Sequence, residues 1–587
     1  TGYTDSQVAW AEEGIAALNE LRGTRTAPLG TSTSEVQRAS LKRIADAYRR
    51  IGADKQLPPV RPLPEPPPRV GALRELLGSS SAYNGNRSDV MPYTEESISW
   101  PNTGAEPVPL RPLLQAADRE WLGLWQTLLL KTEEDISSDL ASSDVSSVYI
   151  DPVLKHNTFK YASFLTNLRQ RNMIKFKIAD NRAHTLGFFF VRKKSGQLRL
   201  IFDTRLLNLH FKSPPQTDLP TAAAFSRIEC LDSQDLYLGS GDLANAFYTV
   251  EMPDDLAQLF TLPAISAKDA GITHVGGAPL EPSTMLMPYV SVLPMGWSWS
   301  AFLCQSLLRH ALTVALVDES QIVSDKSGGV VLSRSDDIGA AGYLDNFMVF
   351  GHCKQLVQDK VDKIGEVLRS WGLTVHEEEA ACTSLVFVGL HFDGIDKRLS
   401  IKTERLINLR FALHELLSRN RCNSKTLEAL LGHVTWAMLC RREALAIIQY
   451  SYRFVHAGFA GNQTLWPSVR RELRQIASLL PLFSIKLSSP WGTTVTASDA
   501  SPFGLGVCRR SMHAHEVARI GRCIETTRFK YADCHSARKH AFEIDDHLVT
   551  FDSESDFIPD PDTCIATFQE IPPSCLSSDS WSTVLSQ

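Results

Sequence analysis

Two short segments about a hundred residues apart constrain this 587-residue chain more than any other feature. They are Ser240-Gly241-Asp242-Leu243-Ala244-Asn245-Ala246-Phe247-Tyr248 and Gly342-Tyr343-Leu344-Asp345-Asn346. The second is set between apolar runs, Ile338 to Ala341 and Phe347 to Phe350. Each reads as a strand of small or apolar residues that delivers one carboxylate at its end. Two carboxylates on different strands are what a pair of divalent cations about 4 Å apart would need. Asp242 and Asp345 are therefore the leading candidates for a metal-dependent centre.

Composition narrows the rest. The length exceeds one ordinary domain and the chain is 43% hydrophobic, enough for three or four folded units. A net charge of -6 excludes a globally basic nucleic-acid binder, so any such contact must come from local patches. Eleven cysteines show no CxxC pair, which argues against a zinc ribbon or disulfide framework and for a reducing compartment, cytoplasmic or nuclear. No apolar run is long enough for a membrane span, so no membrane partner is expected. Thr1 at the start, in place of Met, suggests a processed piece of a longer polypeptide.

Along the chain, residues 1–110 read as a helical and Pro-rich extension, partly disordered, with amphipathic spacing through Trp10 and through Leu41, Ile44 and Tyr48. The proline-dense run Leu57 to Pro68 reads as a stiff spacer. Leu186 to Asp203 has two β-type runs about a Lys-Lys-Ser-Gly turn, a hairpin pattern with Arg192, Lys193 and Arg199 on its tip and return strand. From Thr403 to Val455 leucines recur at three- and four-residue spacing, as in packed helices.

Six blocks occur in one order: FFFVRKKSGQLRLIFDTRLLN, SGDLANAFYTVEMP, SVLPMGWSWSAFLCQ, AGYLDNFMVF, WGLTVHEEEA and LVFVGLHFDG. In that order and spacing the chain resembles the reverse transcriptases of retroelements, of LTR or tyrosine-recombinase type, from about residue 150 to 480. The resemblance implies an α+β right-hand polymerase. Fingers and palm would occupy 111–400 and a helical thumb or connection 401–488. A partial RNase H-like α/β domain would occupy 489–550, followed by a disordered tail at 551–587.

It also implies an RNA-directed DNA polymerase that extends a primer with deoxynucleoside triphosphates on an RNA or DNA template, using two Mg²⁺ or Mn²⁺ ions. Other parts of a retroelement polyprotein are further expected partners. Asp242 and Asp345, with the Leu243 carbonyl, would hold the metals. Arg192, Lys193 and Arg199 would meet the triphosphate, and Phe247 would exclude a 2′-hydroxyl. Met295, Gly296, Gln305 and Tyr343 would line the substrate site, while Ser300 could cap the helix it opens. The Phe387 to His391 block resembles the hairpin that grips a primer end.

The chain departs from the family at two places. Asn346 stands where a second aspartate is usual, which keeps an oxygen but removes a full charge from the catalytic set. His376-Glu377-Glu378-Glu379 stand where a lysine is common, leaving His376 as the nearby proton donor, or simply as an exposed loop histidine. Thr493 to Cys508 resembles the opening hairpin of an RNase H-like domain, with Asp499 as first carboxylate and Glu525 or Asp533 as partners. A catalytically decayed or domesticated relative that binds nucleic acid without synthesis is the competing expectation.

Overall fold

The computed structural model describes residues 5–21, 35–51, 71–78, 90–523 and 580–586, apart from 105, 144, 146, 181–184, 194–195, 317, 327 and 502–503. At its centre lies a four-stranded antiparallel sheet in the order Ile338–Tyr343, Asn346–Gly351, Tyr237–Leu243, Val375–Cys382. Small residues run through it because helices pack close behind. A Cβ on Gly342 would meet Leu308 and Leu312 of the helix Ser300–Leu316 at 3.0–3.1 Å. The second covering helix, Lys354–Ser370, buries Val357, Val361, Ile364 and Leu368, one helical stripe.

The expected cationic hairpin forms. Strands Gly187–Arg192 and Leu198–Asp203 pair antiparallel, with Phe188, Phe190, Leu200 and Phe202 buried beneath. The Phe202 amide donates to the Met295 carbonyl (2.9 Å), tying the hairpin to the loop before the Ser300 helix. A second hairpin, Ser384–Phe387 and Leu390–Asp393, turns through Val388 (φ 43°) and Gly389 (φ 81°). Two successive left-handed residues match the right-handed twist of paired strands.

Beyond it the leucine-spaced region is helical as expected. Thr403–Arg419 ends at Asn420 in the left-handed conformation, and Ser424–Met438 begins with the Asn423 side chain accepting from the Thr426 amide (2.8 Å). With Pro467–Leu479 these helices enclose a second core containing Leu409, Leu413, Leu430 and Leu473.

The N-terminal helices Asp5–Leu21 and Glu35–Arg50 are built into that core. Trp10 donates its indole N–H to the Ala477 carbonyl (3.0 Å), Tyr48 its hydroxyl to the Ser478 carbonyl (2.5 Å), and the Arg410 guanidinium lies 3.8 Å over the Trp10 ring. The helix Ala72–Gly78 is anchored by the buried Glu415 carboxylate, which accepts from the Leu73 amide (2.9 Å) and pairs with Arg419. The sequence reads 1–110 as a helical, partly disordered extension; these helices are instead part of the core, because Trp10 and Tyr48 find partners more than 400 residues away, which no local pattern records. The Pro-rich run 57–68 lies outside the described residues.

At the C-terminal end Thr494–Ser501 and Gly504–Ser511 form the expected hairpin, joined by Ser582–Ser586 as a third antiparallel strand. That last strand belongs to the segment expected to be a disordered tail. Its Thr583-Val584-Leu585 run is β-type where the preceding residues are acidic and proline-containing.

Candidate functional site

The central sheet brings the two principal acids together. Asn346 lies directly opposite Asp242, and His376 opposite it on the other side, so positions 346, 242 and 376 stand abreast on adjacent strands. The Leu243 amide donates to the Asp345 carbonyl (2.8 Å), locking the end of the first strand to the turn of the second. Gly241 is small because Phe347 packs above it, and a Cβ there would sit 2.5 Å from the ring.

The turn that presents Asp345 is held from behind. Leu344 adopts a left-handed φ of 57°. Its amide donates to Gln305 Oε1 (2.7 Å), while Gln305 Nε2 donates to the Gly342 and Asp218 carbonyls (both 3.0 Å). Gln305 is thus committed to the backbone of the turn. A substrate-lining role was expected for it, but its amide is spent on positioning Asp345. Tyr343 closes the strand opposite Asn346 and packs half-buried on the second core.

Electrostatically the site is strained. Burial first, then the charge of Asp345, with Glu377 adding, push the Asp242 carboxyl up to about 6, against the opposing pull of His376 and Lys193. Asp242 Oδ1 is buried without a hydrogen-bond partner. On Asp345, Oδ1 accepts from Asn346 Nδ2 (2.8 Å). Asn346 therefore occupies one oxygen of a carboxylate and adds no charge of its own.

Cations approach from the first hairpin. Lys193 is partly buried and feels Asp242, Asp345 and Glu377; burial and Arg199 lower its proton affinity and those acids partly restore it. Its Nζ donates to Ser99 Oγ (3.0 Å). Arg199 is half-buried in the return strand, whereas Arg192 is exposed with its guanidinium on the Met91 sulfur (3.7 Å).

The remaining expected residues form the floor. Phe247 is buried in a short turn after Asn245, itself left-handed at φ 52°. Met295 is buried, and Gly296 at φ 128° admits no side chain, since a Cβ would lie 2.2 Å from the Phe202 carbonyl. Ser300 does not use its hydroxyl as a helix cap; it donates to the Pro294 carbonyl (2.8 Å). Asn208, which sequence reasoning left without a role, ties the same loop by donating to the Gly296 carbonyl (3.0 Å) and accepting from the Ser298 amide (3.0 Å).

His376 is exposed on its strand, with Nδ1 3.1 Å from the Asp242 carbonyl. For the RNase H-like set, the backbone of Asp499 pairs with Gly506, while its side chain, Glu525 and Asp533 lie outside the described residues.

Among the described residues no three acidic, imidazole or thiol groups converge closely enough to hold an ion unaided. Asp242 and Asp345 nonetheless fit hard cations in their chemistry: two like charges forced together, with one buried oxygen lacking any donor. Bound metal would also draw on the Leu243 carbonyl and on ligand oxygens. No helix among the described residues is long and apolar enough to cross a membrane.

Paired carboxylates on adjacent antiparallel strands, facing a cationic hairpin, make an acidic centre suited to divalent cations and polyanions. Residues 191–392 match the family model for Reverse transcriptase (RNA-dependent DNA polymerase). The Gag-Pro-Pol polyprotein of mouse mammary tumor virus (strain BR6) is 21% identical over 334 residues, covering 54% of this chain and 16% of the viral protein. The chain thus spans about a sixth of the length of that relative. Among solved structures, the foamy viral protease-reverse transcriptase dRH in complex with ds DNA gives a TM-score of 0.42 at 14% identity, covering 71% of this chain and 68% of that one. The foamy viral protease-reverse transcriptase in complex with RNA/DNA hybrid gives a TM-score of 0.42 at 14% identity, covering 70% of this chain and 52% of that one. The match over residues 191–392 and the similarity to a retroviral polyprotein both support a retroelement reverse transcriptase.

Proposed function

We propose that this chain is an RNA-directed DNA polymerase that adds deoxynucleotides to a primer 3′-hydroxyl on an RNA or DNA template. The observation that carries the reading is the juxtaposition of Asp242 and Asp345 at the mouth of the central sheet, with a buried Asp242 oxygen lacking a partner. In this reading the sheet is the palm, the hairpin 187–203 belongs to the fingers, and the helices from Thr403 to Leu479 form the thumb. The 494–511 hairpin opens an RNase H-like segment in which Asp499 and Glu525 are the candidate acids.

Asp242, Asp345 and the Leu243 carbonyl would hold two Mg²⁺ or Mn²⁺ ions. When bound, these supply activation of the attacking hydroxyl and neutralisation of charge on the transferring and leaving phosphates. The chain's own residues do the rest. Lys193, Arg199 and Arg192 bind the triphosphate by charge. Phe247 leaves no room for a 2′-hydroxyl. Met295 and Gly296, pinned by Asn208, shape the surface under the base, with Tyr343 at its edge. Gln305 fixes the turn that aims Asp345.

A second reading, nucleic-acid binding without synthesis, draws on one observation: the Asn346 amide occupies Asp345 Oδ1 and contributes no charge. Primer extension with Mg²⁺ or Mn²⁺, comparing the unmodified chain with Asn346→Asp, separates the two. Synthesis by the unmodified chain supports the polymerase. Synthesis by Asn346→Asp alone supports the decayed alternative.

A further inference from the structure

The site has lost an acid at Asn346, and the same structure holds another a strand away. The strand Val375–Cys382 runs in register beside Tyr237–Leu243 at His376, then shifts register before Glu379. Glu377 sits in that irregularity with a left-handed φ of 49°. A bulge of this kind re-aims a side chain that regular alternation would send to the opposite face from its neighbour. A bulky non-glycine residue at positive φ is uncommon.

The three glutamates of the block are disposed differently. Glu378 pairs with Arg369 (2.5 Å), and Glu379 stands opposite Ser240, deeper along the strand. Among the described residues Glu377 has no ion-pair partner, and its charge acts on Asp242 and on Lys193 together. Its position in the irregularity beside the His376–Asp242 pair puts it near enough to both residues for its charge to reach them.

We infer that Glu377 supplies, from the neighbouring strand, the negative charge that Asn346 withholds, and that it serves as a positioning residue for divalent cation at Asp242 and Asp345. It acts through the field across the site, because among the described residues no third acid lies close enough to share an ion directly. The inference rests on the metal-dependent reading above and assigns a role to a residue at which the chain departs from its family.

The test is Mn²⁺ affinity of the full chain, measured by paramagnetic resonance of the free ion, without substrate. Glu377→Gln is expected to weaken binding about five-fold, and Asn346→Asp to strengthen it by a similar factor. The charge-relocating pair Asn346→Asp with Glu377→Gln is expected to restore affinity to within about two-fold of the unmodified chain. Glu378→Gln, which breaks only the Arg369 pair, is expected to leave it unchanged.

Glu377→Gln binding as tightly as the unmodified chain would overturn the inference. So would a weakened Glu377→Gln that Asn346→Asp fails to rescue, since that would mark a purely structural bulge. Asp242→Asn reports separately on the underlying reading. If Asp242→Asn abolishes binding while Glu377→Gln does nothing, the metal site stands and the role of Glu377 falls; if Asp242→Asn is also without effect, both fall.

Discussion

Asp242 carries the conflict on which the site depends, a carboxylate placed beside another carboxylate with one oxygen sealed from water. Without metal that arrangement costs stability. Replacing Asp242 by Asn removes the like-charge contact, and the metal-free variant is expected to be more stable by roughly 1 kcal/mol after allowance for solvent screening of a half-exposed group. Thermal unfolding in chelator checks this, and a variant no more stable than the unmodified chain would contradict it. Asp203 is the opposite case. Burial opposes its charge, but the Arg205 guanidinium and the amides of Tyr149 and Arg205 outweigh it and hold the carboxyl below its ordinary range. The unfolded chain therefore takes up this proton first as pH falls. The stability Asp203 contributes is complete above about pH 4 and is lost as pH drops through the lower folded-state value. Asp203→Asn is expected to cost about 2 kcal/mol at pH 7. That difference should shrink below pH 4 in urea titrations at both pH values.

At the scale of elements, the sheet and its turn decide whether Asp345 is presented. Gly241→Ala would drive a methyl into the Phe347 ring and is expected to cost about 1–3 kcal/mol, read from denaturant midpoints. Gln305→Leu would leave the Leu344 amide and the Gly342 carbonyl unpaired, costing roughly 2–4 kcal/mol and lowering primer extension at least ten-fold. Much of this layer was legible in sequence. The apolar alternation around Lys193 specified a hairpin, and leucine spacing specified the helices after Thr403. Gln305 was singled out, yet its work for the turn was not visible, because its three partners are backbone groups at 218, 342 and 344. The bulge at Glu377 was equally hidden. A run of three glutamates reads as a solvated strand, and only the folded strand shows the irregularity beside Asp242 in which Glu377 sits.

For the whole molecule, the N-terminal helices brace the helical region from outside. Trp10→Ala would remove a buried indole, its bond to Ala477 and its contact with Arg410, at a cost of about 3 kcal/mol. Faster limited proteolysis N-terminal to residue 71, with the 191–392 region still protected, is the expected signature. This brace escaped the sequence because its partners lie at the far end of the chain, whereas the domain at 191–392 was readable from motifs close in sequence. The central claim, that Asp242 and Asp345 form the working centre of a template-directed DNA polymerase, is tested most directly by extension of oligo-dT on poly-rA. Deoxynucleotide incorporation by the unmodified chain, abolished by Asp242→Ala in a protein that still folds and binds primer-template, is the expected result. Incorporation that survives Asp242→Ala, or none from the folded, duplex-binding unmodified chain with either Mg²⁺ or Mn²⁺, would contradict it.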